Sequence, residues 1–235
     1  MGKGDMWGRG TCTLGTCPPI EVYWKGMAID YSLYLVADAD FAGGRDLAAV
    51  VDAAVRGGVT VVQLRAKSLA GRALVGLALE ISRRLAGTGV PLLINDRVDI
   101  ALACGAAGVH LGQGDMPVPA ARRILGPNAA IGVSVNTPEE AALAEREGAD
   151  YVGAGPAFAT STKETPLAVL GPAGIGRIKR AVRIPVVAIG GISAGNAASL
   201  AAAGADGIAV VSAILGAPDP ARAAEELTRS FKARA

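Results

Sequence analysis

Eight short apolar runs rich in β-branched residues recur from residue 33 onward, and a segment of helical composition separates each from the next. They are LYLV (33–36), VTVVQL (59–64), VPLLI (90–94), GVHL (108–111), AIGVS (130–134), DYVGA (150–154), PVVAI (185–189) and GIAVV (207–211). Short runs with no polar face read as strands of a parallel sheet covered by helices. The phrases GGVTVVQLR, GAAGVHLG, GADYVGAG and GADGIAVV resemble one another, so one βα unit is being repeated. Gly57, Gly105, Gly148 and Gly204 are expected to end helices as C-cap glycines just before strands. Eight such units over roughly 205 residues predict a (βα)8 TIM barrel. It forms a single catalytic domain, residues 29–235, behind an irregular N-terminal extension, residues 1–28. A doubly wound open sheet is the alternative, but LVADADFAGG after the first strand lacks the G-x-G-x-x-G of a dinucleotide fold.

Composition narrows the function. A chain of 235 residues with 51% hydrophobic and 19% charged residues is globular. The net charge of +2, without a dense basic run, argues against nucleic acid as a partner. No apolar stretch is long enough to span a bilayer, and residues 1–30 lack a signal-peptide core, so the expected setting is the cytoplasm. Cys104 reads as a small buried residue. The spacing of Cys12 and Cys17, with His110 the chain's only histidine, makes a poor zinc site and removes most histidine-based mechanisms.

In a barrel of this kind the strand C-termini converge on the face where active sites are built. Strand two ends in QLRAK, with Gln63, Arg65 and Lys67; strand three brings Asn95 and Asp96. Strand four brings His110, Gln113 and Asp115, and strand five Ser134. Strand six runs into GPAFATSTK, with Thr160, Thr162 and Lys163; IGGI and VVSAI follow strands seven and eight. Asp96 and Asp115, nineteen residues apart, follow adjacent strands and are expected to face each other. Two carboxylates without histidine or cysteine suit Mg²⁺, which is held by one or two carboxylates plus substrate phosphate. Arg65, Lys67 and Lys163 would neutralise the remaining phosphate oxygens. Gly190 and Gly191 after strand seven, with Ser212 after strand eight, offer a second phosphate site.

Taken singly, many of these residues have plainer explanations. Asp96 could cap a helix starting near Val98, and Asp115 could start the next one. Lys67 could be a solvated loop charge, Gly190 and Gly191 a simple turn. His110 reads as a packing or hydrogen-bonding residue inside the barrel, and Arg97 and Asp99 as helix surface. None of these explains why the polar groups gather at one end.

VVQLRAK, LLINDRVDIA, GVHLGQGD, IGVSV, GADYVGAGPAFATSTK, PVVAIGGI and GADGIAVVSAI together resemble the thiamine phosphate synthase family, in order from about Leu33 to Leu215. The resemblance implies a transferase of thiamine biosynthesis. It would join 4-amino-2-methyl-5-hydroxymethylpyrimidine diphosphate to a (carboxy)thiazole phosphate, releasing pyrophosphate. Gln63, Arg65, Lys67 and Asn95 would bind the pyrimidine diphosphate, and Asp96 and Asp115 would hold Mg²⁺. Ser134 would contact the pyrimidine or its leaving group, and Lys163 the pyrophosphate. Thr160 and Thr162 would bind the thiazole, with its phosphate on Gly191, Val211 and Ser212. Arg65, Lys67, Lys163 and Ser134 would act on the reacting groups themselves. Ala66, Gly114 and ATSTK depart from the family's usual loops without removing a charge. A thiazole tautomerase-like barrel would not need the acid pair together with QLRAK. A phosphate-ligand-binding barrel without turnover would not need the full charged set, and an isomerase or aldolase barrel would want an acid/base pair or a Schiff-base lysine inside. The expected partners are small molecules, with neither nucleic acid nor membrane; association into a homo-oligomer is left open. Deleting residues 1–26 should leave specific activity unchanged, and a folded but inactive truncated chain would show that the extension contributes.

Overall fold

The computed structural model describes residues 28–160 and 168–233. Cys12 and Cys17, nearly all of the expected extension, and Thr162 and Lys163 therefore lie outside the described residues. Eight strands form: β1 Leu33–Asp38, β2 Val61–Arg65, β3 Leu92–Asn95, β4 Gly108–Leu111, β5 Ala130–Val135, β6 Tyr151–Ala154, β7 Val186–Ile189 and β8 Gly207–Val210. The helices are α1 Ala39–Ala42, α2 Leu47–Arg56, α3 Gly71–Leu85, α4 Val98–Cys104, α5 Val118–Leu125, α6 Pro138–Arg146, α7 Gly171–Ala181, α8 Ala197–Ala202, α9 Ser212–Leu215 and α10 Pro220–Lys232. Every neighbouring pair of strands is parallel, and β8 returns to β1 (Leu33 opposite Ile208, Leu35 opposite Val210), so the sheet closes into a (βα)8 barrel.

Local chemistry sets the helix ends. Asp46 caps α2 through Ala49 N–H, and Asp219 caps α10 through Arg222 N–H. Thr137 and Glu140 form a reciprocal capping box at α6, with Pro138 in its first turn. Gly105, Gly148 and Gly204 take positive φ where helices hand over to strands. Gly57 caps α2 as expected, with its N–H donated to the Ala53 carbonyl, but at φ −81°; the positive φ falls on Gly58 at +102°. Gly57 is required for space, since a Cβ there would stand 2.1 Å from the Ala221 carbonyl oxygen of α10.

The strand period of two divides the core in two. Leu33, Leu35, Val62, Leu64, Val109, Ile131 and Val152 pack outward against the helices, where Cys104 is also buried. Tyr34, Val36, Val61, Leu93, Ala130, Tyr151, Val187 and Ala209 point into the barrel, with Tyr31 below them. The same alternation carries Asp38, Gln63, Arg65, Asn95, His110 and Ser134 inward at the strand ends, where they line one cavity. Glycines make room for the large inward residues. A Cβ on Gly132 would lie 2.1 Å from Tyr151 Cζ, and one on Gly153 2.9 Å from His110 Cε1. Gly132→Ala should therefore displace Tyr151 and cost about 1–3 kcal/mol, the usual scale of overpacking. A lowered denaturant midpoint with an unchanged slope would show it.

Candidate active site

The barrel mouth opens into a cavity of about 520 Å³. Of the residues expected from sequence, Gln63, Arg65, Asn95, Ser134, Thr160, Gly191, Val211 and Ser212 line it. Lys67, Asp96 and Asp115 are not among its lining residues and stand together beyond Arg65, Asn95 and Gly112, which are: Lys67 Nζ is 3.5 Å from Asp96 Oδ2, and the Asp115 carboxyl meets that of Asp96.

Asp96 is not a helix cap. α4 begins after Arg97 with no side-chain cap, and α5 begins after Pro117, also without one. Arg97 and Asp99 pair on the exposed surface, Nη2 to Oδ2 at 2.6 Å. Asp96 instead sits at φ +60°, the one non-glycine with positive φ among the described residues, in a turn where its N–H donates to the His110 carbonyl at 2.9 Å. A backbone held in this region costs free energy that the surroundings must supply, and such positions cluster at functional sites. Asp115 accepts from Gly112 N–H at 2.7 Å, which closes the following turn. Partial burial, reinforced by Asp115 and opposed by Lys67, raises the Asp96 pKa above the ordinary carboxylate range.

The cationic side is organised by two acids that the sequence reading passed over. Asp38, 4% exposed at the end of β1, forms an ion pair with Arg65 and accepts from Asp40 N–H (3.0 Å) and Phe41 N–H (3.2 Å). Asp40 accepts from the Ser68 hydroxyl and from Lys67 N–H at 3.0 Å, and these bonds, the first above all, lower its carboxyl pKa. The β1 end thus fixes the loop that carries Arg65 and Lys67. Its signal was an acid directly after a strand, the same signal that marked Asp96 and Asp115.

Glycines shape the opposite wall. Gly190 and Gly191 have φ of +102° and +64°, and a Cβ on Gly191 would stand 2.4 Å from the Ala159 carbonyl oxygen. Beneath the mouth, Tyr34, Tyr151 and His110 form a hydrogen-bonded floor, another feature the sequence reading did not assemble. His110 is, as expected, a hydrogen-bonding residue inside the barrel: Nδ1 meets Tyr151 Oη and Nε2 meets Ser134 Oγ, both at 2.9 Å. No cluster of three or more His, Cys, Asp or Glu suited to a metal occurs among the described residues, so a cation here would complete its shell with substrate oxygen and water.

Fold and mouth together are those of a (βα)8-barrel enzyme with a small-molecule cavity at the C-terminal ends of its strands. The thiamine monophosphate synthase family profile matches residues 33–214. The thiamine-phosphate synthase of Albidiferax ferrireducens is 54% identical over 201 residues, covering 86% of this chain and 92% of that protein. That of Chloroflexus aurantiacus is 51% identical over 199 residues, covering 85% and 92%. The structure of thiamine phosphate pyrophosphorylase from Pyrococcus furiosus superposes with a TM-score of 0.79 at 39% identity, covering 87% of this chain and 96% of that one. The chain belongs to the thiamine monophosphate synthase family. Similarity to orotidine 5′-phosphate decarboxylase from Pyrococcus horikoshii (TM-score 0.62, 19% identity) reflects the barrel alone. The tautomerase-like and non-catalytic alternatives are not favoured by these relatives.

The geometry separates the backbone demand at residue 96 from its charge. Asparagine tolerates the left-handed backbone and carries no charge against Asp115. Asp96→Asn is therefore expected to melt at or above the wild-type temperature while losing turnover, and a melting temperature several degrees lower would contradict this account of the turn.

Proposed function

We propose that this chain makes thiamine phosphate at the barrel mouth, joining the hydroxymethylpyrimidine diphosphate to the thiazole phosphate, with Asp96 and Asp115 holding Mg²⁺. The observation that carries the reading is the acid pair that follows adjacent strands, with Lys67 against it, next to the cavity residues Arg65, Asn95 and Gly112. Two hard oxygen donors placed carboxyl to carboxyl repel each other, and a divalent cation relieves that repulsion. Mg²⁺, when bound, neutralises charge on the diphosphate.

The remaining work falls to the chain's own residues. Gln63, Asn95 and Ser134 orient the pyrimidine; Arg65, Lys67 and Lys163 hold the diphosphate. Arg65 is already aimed by Asp38, so little reorganisation is needed as charge builds on the leaving group. The bond between the pyrimidine methylene carbon and the diphosphate oxygen breaks, and its electron pair leaves with pyrophosphate. The aminopyrimidine supports the resulting positive charge. Thr160 and Thr162 position the thiazole, whose phosphate rests on Gly191, Val211 and Ser212. The thiazole nitrogen then donates its lone pair to the methylene carbon and closes the C–N bond. That nitrogen carries no proton, so the step needs no general base, which agrees with a chain that has one histidine. Residues 29–235 suffice for this chemistry. Phosphorylated substrates do not cross a membrane unaided, which supports a cytoplasmic setting; separately, no helix among the described residues is long and apolar enough to cross one.

Purified protein given both substrates should form thiamine phosphate with Mg²⁺ and none with EDTA. Asp96→Ala should lower the rate by roughly two to three orders of magnitude, the scale of losing one preorganised electrostatic group. Near-wild-type turnover by that variant at limiting Mg²⁺ would overturn the assignment of Asp96.

A further inference from the structure

The inward positions of five strands leave a continuous line of polar atoms across the floor of the cavity. Gln63 Nε2 lies 2.7 Å from Tyr34 Oη, and Tyr34 Oη lies 2.8 Å from Tyr151 Oη. Tyr151 Oη is 2.9 Å from His110 Nδ1, and His110 Nε2 is 2.9 Å from Ser134 Oγ. The line starts on β2, passes through β1, β6 and β4, and ends on β5. Gln63 and Ser134, its two ends, both line the cavity. Tyr34 and Tyr151 are 1% and 0% exposed, and burial holds both phenols protonated.

A neutral phenol or imidazole in such a line has one hydrogen to give, so the direction of one bond dictates the next. Hydroxyls rotate and imidazole has two tautomers, whereas a carboxamide has a donor end and an acceptor end. Gln63 therefore sets the direction. With its Nε2–H donated to Tyr34, the Tyr34 hydrogen points to Tyr151 and the Tyr151 hydrogen to His110 Nδ1. The imidazole hydrogen then sits on Nε2 and is donated to Ser134 Oγ. Ser134 is left to offer its own hydrogen to the cavity, while Gln63 offers its carbonyl oxygen.

We propose that Tyr34, Tyr151 and His110 are positioning residues that couple Gln63 to Ser134, so that the cavity presents an acceptor on one wall and a donor on the other as a single linked state. The matching ligand places an amino group on Gln63 and an acceptor on Ser134. A 4-aminopyrimidine diphosphate does this. The proposal rests on the reading that the pyrimidine binds here, and it adds how an amino group is distinguished from an oxo group at the same ring position. An oxo substituent requires Gln63 to turn its amide over. That reverses all four bonds and removes the donor from Ser134. Without the coupling, Gln63 could turn alone.

The test measures the Kd of the aminopyrimidine diphosphate and of its 4-oxo counterpart by calorimetry, with Mg²⁺ and without the thiazole partner. The wild-type protein should favour the amino compound. Tyr151→Phe, which removes one oxygen from the middle of the line, should narrow the ratio of the two Kd values about tenfold, the scale of one unmade buried hydrogen bond. A merely structural loosening would weaken both ligands together and leave the ratio unchanged. Tyr34→Phe breaks the line one bond nearer to Gln63 and should act alike, which keeps the test decisive if Tyr151→Phe folds poorly. A wild-type protein that binds the two compounds equally, or variants that keep the wild-type ratio, would overturn the coupling. A wild-type protein that binds neither compound would instead overturn the proposed function, and the coupling with it.

Discussion

The molecule depends on the closure of β8 onto β1. A parallel sheet of eight short strands, none longer than six residues, has no stable edge, and closing it leaves every strand with two neighbours. Closure also fixes the tilt and the alternation, so the last inward position of each strand is forced toward a common axis. Register does the rest: Asp38 lies opposite Arg65, Asn95 opposite His110 and His110 opposite Gly132. Side chains far apart in sequence are thereby held within bonding distance before any ligand arrives.

Charge at the mouth is arranged in two different ways. Asp38 is buried and directly paired, so its role is to aim Arg65. Asp96 is only half compensated, with Lys67 at 3.5 Å on one side and Asp115 on the other. A satisfied acid such as Asp38 is support for the cation it aims, whereas an acid held against another acid in a left-handed turn is kept there at a cost to the fold. That contrast, more than the identity of the residues, distinguishes the support from the proposed site.

The barrel and most of its mouth were legible in the sequence because both follow from short-range rules. Apolar runs of near-constant spacing announced the strands, and acids just past them announced the rim. Asp38 carries the same mark, but its role depends on Arg65, which lies 27 residues further on and meets it only through the β1–β2 register. The tyrosine floor was illegible for a different reason. Tyr34 and Tyr151 are separated by 117 residues, and each sits in a run that reads as ordinary strand. Their meeting needs the room left by Gly132, a three-dimensional fact with no local signal. Gly57 reads as a C-cap and is one, but its close approach to α10 has no local signal either.

The Tyr31 and Tyr151 rings, tilted by 32° with centroids 4.6 Å apart and both buried, close the barrel from below among the described residues and give the cavity the form of a cup. A cup has one opening. Whatever rests against the tyrosine floor has to arrive before, and leave after, whatever fills the space above it. Sequence of arrival and order of release are thus written into the architecture, as they are for any vessel filled and emptied through the same neck.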